Sequence, residues 1–292
     1  MKRRQFLETT LASLTAAPLL ASQEFSTDPV AKVQLTPEIS SSRIGFGTGV
    51  HGGGRQCNLT RMDHDFAVDL LRYAYDCGIR FFDMADMYGT HALVAEALEG
   101  KPRDSYVLST KIWHQRGGLP EPERLSAEEL IPRFLKELKT DYIDVVQLHC
   151  LRNSEWVKEH EMQFEPMERL KKKGLIRAHG VSCHGHDAAQ IAAVHPWVDV
   201  MHIRINPENK VMSATWDETL PVIKKAKENG KGVIMMKVLG EGRIDTPEAR
   251  RASTFAVTQK SGGDVMIIGF EKRQHIDEFL TNVTDALKEM AH

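Results

Sequence analysis

Asp83, Tyr88, Lys111 and His149 bring together an acid, a phenol, an amine and an imidazole, the groups that proton transfer at a carbonyl would use. A free phenol titrates at about pH 10, too high for an efficient proton donor near neutrality. A neighbouring ammonium stabilises the phenolate and lowers that pKa, and a carboxylate holds the ammonium charged and in place. On this hypothesis Tyr88 protonates a carbonyl oxygen as hydride reaches the carbon, Lys111 tunes it, Asp83 fixes Lys111, and His149 orients the substrate oxygen. Each residue alone has a plainer reading: Asp83 as an ion pair for Lys111, Tyr88 as a loop anchor, His149 as a hydrogen-bonded histidine at a strand end. Their joint spacing favours the chemical reading.

That placement depends on the elements carrying them. Short β-rich apolar runs are expected as strands at 43–48, 80–84, 106–110, 143–148, 178–182, 198–203, 232–236 and 264–268, each followed by a segment of helical period. Phe66, Leu70, Leu71, Tyr73 and Ala74 outline one helix face, which Cys77-Gly78 ends. Ser126 with Glu129 reads as a capping box for another helix. Strand-helix alternation at this length predicts a single-domain α/β fold, a closed (β/α)8 TIM barrel, in which function sits on the loops after the strands. Asp83, Lys111 and His149 then end the second, third and fourth strands, and Tyr88 lies in the loop after the second. A doubly wound sheet would need a G-x-G-x-x-G turn after its first strand. Gly45, Gly47 and Gly49 have the wrong spacing for that.

The 292 residues are 41% hydrophobic and 27% charged, which suits a domain with a sizeable core. A net charge of −2 gives no reason to expect nucleic acid or a membrane surface as partner. No apolar run is long enough to span a bilayer, so no stable membrane anchor is expected. Residues 1–21 nevertheless read as an export signal: Arg3 and Arg4 precede Phe6-Leu7, a mildly apolar stretch follows, and Ala21-Ser22 offers a small-residue exit. The order resembles bacterial twin-arginine signals, implying the twin-arginine export machinery as a partner and a periplasmic or otherwise exported destination. Residues 22–36 read as a linker and 37–292 as the barrel. Cys57, Cys77, Cys150 and Cys183 lack metal spacing and are expected as buried thiols, although export would permit a bridge among Cys57, Cys150 and Cys183.

Phe81-Phe-Asp-Met-Ala-Asp-Met-Tyr-Gly89 resembles the aldo/keto reductase motif F-D-T-A-x-x-Y-G. Ser109-Thr-Lys111, the segment from Thr140 to His149 and the segment from Lys173 to Ser182 are similar to that family's next three strands, in family order. The resemblance implies a nicotinamide cofactor, extended across the barrel mouth, that reduces a small-molecule aldehyde or ketone, with Asp83, Tyr88, Lys111 and His149 as its tetrad. It also implies that Ser182 holds the nicotinamide carboxamide and that Asn206 lies at the cofactor. Gly269 with Lys272 and Arg273 resembles the phosphate loop, where two cations favour a 2′-phosphate, hence NADP, with NAD possible.

The sequence departs from the family pattern at the ring. Cys183 stands where an asparagine is expected, His202 for a carboxamide-binding glutamine, and Met236, beside Lys237, for a stacking tyrosine; Glu278 is followed by Phe279 in place of asparagine. His202 could donate to an amide oxygen and Met236 could pack on the ring through its sulfur. Two other functions compete: a zinc hydrolase using His149, His184, His186 and His202 near Cys183, and a nucleotide-binding sensor or scaffold with little turnover. Substrate selection is expected from the loops at 51–60, 150–161 and 239–246. There His51, Arg55, Arg152, Asn153, Trp156 and Arg243 suit a sugar-like or oxygenated carbonyl.

Overall fold

The computed structural model describes residues 26–292, so the expected export signal lies outside the described residues. Lys32–Gln34 (β1) and Ser40–Ser42 (β2) pair as an antiparallel hairpin. Eight parallel strands then close a barrel: β3 (Ile44–Gly47), β4 (Phe81–Asp83), β5 (Val107–Ile112), β6 (Ile143–Leu151), β7 (Ile176–Cys183), β8 (Val200–Arg204), β9 (Gly232–Met236) and β10 (Val265–Ile268), with β10 pairing β3. All eight expected strands are present, each followed by helix, because near-continuous apolar runs suit strands covered on both faces.

Side-chain alternation sorts each strand into an inward and an outward set. Phe82, Leu108, Val146, Val181, Met201, Val233 and Met266 face the helices in the large outer core. Phe81, Val107, Val145, Ala178, Val200, Ile234 and Val265 form a separate apolar layer inside the lower barrel, and Leu35 and Ile39 of the hairpin turn complete it from below. Lys32 to Leu35, which fall in the expected linker at 22–36, take part in the hairpin that closes the barrel floor. Two or four residues further along β4 to β8 the inward set turns polar, with Asp83, Lys111, His149, Ser182 and His202 all buried. The floor is dry and the mouth is chemical.

Local sequence sets the outer layer. Asp63 caps the helix His64–Asp76 by accepting from the Phe66 amide at 3.0 Å. Ala67, Val68, Leu70, Leu71, Ala74 and Tyr75 form its buried face, whereas Phe66, expected there, is 46% exposed. Ser126 and Glu129 form the expected box at the helix Ala127–Leu138, with the Ser126 amide 2.9 Å from the Glu129 carboxylate.

Candidate active site

The pleat of β4 and β5 aims Asp83 and Lys111 at each other inside the barrel. Lys111 Nζ lies 2.6 Å from both Asp83 oxygens and 2.8 Å from the Met84 carbonyl. Asp83 also accepts from Ser109 Oγ at 3.1 Å and from His202 Nε2 at 3.1 Å. Burial opposes its charge, but Lys111 and His202 outweigh that cost and hold the carboxyl well below the usual range. Burial lowers the Lys111 ammonium, with Asp83 opposing the shift.

Tyr88 ends a short helical turn, Asp86–Tyr88, that is clamped from outside. Asp86 takes Arg55 Nε at 2.9 Å and Arg133 at 2.8 Å. Gly89 has φ 67°, and a Cβ there would stand 2.2 Å from the Arg55 carbonyl oxygen, so only glycine lets the chain leave the turn. The phenol then lies 3.2 Å from His149 Nε2, with Lys111 Nζ 5.5 Å from the ring centre. His149 sits at an irregularity between β6 and β7, just before Cys150 at φ 66°, a local kink of the kind that re-aims a side chain beside a site. The four expected residues thus meet in one place.

Burial, then the Asp83 charge, push the Tyr88 phenol well above its ordinary value, opposite to the direction expected from Lys111 alone. Burial, reinforced by Lys111, pushes His149 well below its ordinary value, so it is neutral at pH 7.

A cleft of about 480 Å³ runs from this cluster between β9, β10 and the last helix, Arg273–Met290. Gly47, Asp83, Tyr88, Lys111, Ser182, His202, Met236, Lys237, Gly269 and Glu278 all line it. Ser182 Oγ and His202 Nδ1 are buried without a partner. Because His202 must donate Nε2–H to Asp83, its Nδ1 is an acceptor, the reverse of the expected donation to an amide oxygen. A hydroxyl and a ring acceptor left unsatisfied at one end of a long cleft fit a carboxamide.

Other expected residues fall elsewhere. Cys183 faces the outer core, since Ser182 takes the inward position. Asn206 is consumed locally: its amide donates to the carbonyls of Lys210 at 2.8 Å and Lys237 at 3.0 Å, which staples two loops. Neither Lys272 nor Arg273 lines the cleft; Arg273 lies 5.0 Å from the Tyr73 ring centre on the outside. Lys237 is paired with Glu241 at 2.5 Å, and Glu278 with Arg250 at 2.7 Å. Trp156 is fully buried in the outer core and Arg55 is paired with Asp86 at 2.9 Å. All four cysteines are free; Cys77 is only half-buried, the others are buried. Among the described residues no three His, Cys, Asp or Glu side chains group as a metal site, and His184 Nδ1 is occupied by Arg204 at 2.6 Å and Cys150 Sγ at 3.2 Å.

Residues that the sequence did not single out complete the site. Trp113 packs edge-on against His149 with ring centres 5.5 Å apart. His275 and Asn282 line the cleft from the last helix beside the expected Glu278, and the i, i+3, i+4, i+7 spacing of His275, Glu278, Phe279 and Asn282 was the signal available for them.

Residues 43–291 match the aldo/keto reductase family. The NADH-specific methylglyoxal reductase of Escherichia coli K12 is 26% identical over 225 residues, 72% of this chain and 67% of that protein. An aldo-keto reductase of Bacillus subtilis is 34% identical over 152 residues, covering 49% of this chain and 44% of that one. Among solved structures, one described as that of a putative aldo-keto reductase from Pseudomonas aeruginosa superposes with a TM-score of 0.72 at 25% identity, covering 89% of this chain and 98% of that one. An aldo/keto reductase from Klebsiella pneumoniae in complex with NADP and acetate shares the fold, with a TM-score of 0.64 at 18% identity. With a match spanning its whole barrel and the tetrad in its mouth, this chain belongs to the aldo/keto reductase family.

Proposed function

We propose that the chain is an NAD(P)H-dependent carbonyl reductase acting on a small aldehyde or ketone, with Tyr88 as proton donor. The observation that carries this reading is the phenol held 3.2 Å from a neutral imidazole, above a fully buried Lys111–Asp83 pair. Relatives that are methylglyoxal reductases and a family structure holding NADP support it.

A bound nicotinamide dinucleotide supplies the hydride. Ser182 Oγ and His202 Nδ1 would hold its carboxamide, Met236 would pack beside the ring, and the cleft towards Gly269, His275 and Asn282 would take the remainder. A carbonyl oxygen seated between Tyr88 and His149 accepts a hydrogen bond from each. As the oxygen gains charge it becomes far more basic than a phenolate, so Tyr88 gives up its proton despite a raised pKa. Lys111, held by Asp83, then stabilises the phenolate until solvent restores the proton. NADP is the proposed dinucleotide, with NAD possible, and a sugar-like or oxygenated carbonyl is the proposed substrate type.

The export reading belongs here too. If residues 1–21 direct twin-arginine transport, the barrel folds and loads its cofactor before translocation and carries it out. The N-terminal sequence of protein from a periplasmic fraction checks this, and an uncleaved chain retained in the cytoplasm would refute it. For the reaction itself, purified protein is mixed with NADPH or NADH and a panel of aldehydes, ketones and keto-sugars. Cofactor oxidation matched by alcohol formation is expected; no turnover with either dinucleotide across the panel would overturn the proposal.

A further inference from the structure

Beside His149, where His184 borders the long cleft, the barrel mouth carries charge that the reduction of a neutral carbonyl does not use. Arg204 ends β8 and points inward, two residues beyond His202 on the same strand face. Its Nη2 lies 2.6 Å from His184 Nδ1, and its Nε is closed off from solvent with no acceptor. Arg152, on the loop after β6, reaches the same place, with Nη2 3.7 Å from Cys150 Sγ, which itself lies 3.2 Å from His184 Nδ1. Among the described residues neither arginine makes an ion pair, whereas Arg55, Arg103, Arg133, Arg169 and Arg177 all do. Glu241, an acid bordering the same cleft, is already taken by Lys237 at 2.5 Å.

The protonation pattern is fixed by the geometry. A guanidinium can only donate, so His184 Nδ1 accepts and the ring carries its proton on Nε2. Burial, then the Arg204 charge, keep His184 far below its ordinary pKa, so the ring is neutral and its Nε2–H is a donor with no partner among the described residues. Two guanidiniums and one N–H therefore converge with no anion to receive them. Like charges brought together in this way cost free energy, and an anionic ligand removes that cost. The His184 ring centre is 6.1 Å from that of His149, which places these donors beside the proposed carbonyl position.

We infer that Arg204, Arg152 and the His184 Nε2–H form a subsite for an anionic group, and that the substrate is a carbonyl compound bearing a carboxylate. The inference rests on the carbonyl-reductase reading above and deepens it by naming the substrate class. Arg204 suits a carboxylate because its planar fork can give two parallel hydrogen bonds. A dinucleotide pyrophosphate offers the same anionic chemistry, so the test separates the two sources.

The test compares 3- and 4-carboxybenzaldehyde with their primary amides, isosteres that differ in charge, as substrates of the full chain with saturating cofactor. The acids are expected to exceed the amides in kcat/KM by about tenfold or more, the scale of one hydrogen bond to a charged group. Arg204→Met should collapse that ratio towards one, and Arg152→Gln, a change at an exposed side chain, should reduce it in the same direction. Equal rates for acid and amide in the parent, or a preference that survives Arg204→Met, would overturn the inference. So would an Arg204→Met variant whose main defect is a higher dinucleotide Kd, because the anion would then belong to the cofactor. If none of the four aldehydes is reduced, the carbonyl-reductase reading is what has failed. Isothermal titration of parent and Arg204→Met proteins with benzoate then still reads the subsite, and equal affinity would refute it.

Discussion

Removing the Lys111 ammonium as Lys111→Met should unmask how much of the barrel's stability hangs on one buried pair. The two side chains are 2% and 4% exposed, and Asp83 would keep only Ser109 and His202 as donors. Leaving one partner of a buried ion pair uncompensated typically costs about 3–5 kcal/mol. In a chain of this size that corresponds to a fall in Tm of roughly 6–20 °C. Replacing both partners, as Asp83→Leu with Lys111→Met, should cost less than the sum of the single changes, since no charge is then stranded; the residual loss of about 1–3 kcal/mol reflects Ser109 and His202 left without an acceptor. Asp83 is held below its ordinary value, so its contribution is fully present above pH 3.8 and is lost only as pH falls through the lower folded value. The parent's Asp83 contribution should therefore be flat from roughly pH 5 to 8. Urea unfolding followed by circular dichroism measures all three variants. A loss below about 1 kcal/mol for Lys111→Met, or strict additivity in the double variant, would refute the buried-pair geometry.

Two further outcomes follow from the same site. Ser182→Ala, which removes a buried hydroxyl without a partner, should raise the dinucleotide Kd by roughly 2- to 10-fold while leaving Tm within a few degrees; an unchanged Kd by fluorescence titration would take Ser182 out of the cofactor site. Reduction needs the protonated phenol, and burial together with the Asp83 charge raises its pKa, so kcat/KM for the carbonyl should show no alkaline fall attributable to Tyr88 below about pH 10. A fall centred near neutrality and abolished with the phenol would show that Lys111 tunes Tyr88 downward after all.

Much of this architecture is legible in the sequence because parallel barrel strands are unbroken apolar runs, and the tetrad is legible because its members sit where strands end. Simple parity would have gone further. With Ser182 facing inward, Cys183 had to face the helices, and the spacing from His275 to Asn282 already draws one helix stripe through Glu278. The β1–β2 hairpin escapes such reasoning because its strands are three residues long and Ser40–Ser42 is polar, so only Leu35 and Ile39 betray it. Contacts across the barrel lie further out of reach. Nothing local indicates that His202 spends its Nε2 on Asp83 or that Arg55 is committed to Asp86. Trp156 shows the opposite error: a polar loop composition suggested the mouth, but a tryptophan that opens a long helix was buried beneath it.

The reading of Tyr88 as proton donor is tested most directly by Tyr88→Phe, which removes a single oxygen from a ring already seated between Gly49 and Gly52. Carbonyl reduction is expected to fall by about 10²- to 10⁴-fold, the usual scale for losing a positioned acid. Dinucleotide Kd should stay within about twofold, because the hydroxyl makes no contact assigned to the cofactor. Cofactor-dependent reduction at the parent rate in Tyr88→Phe would contradict the assignment.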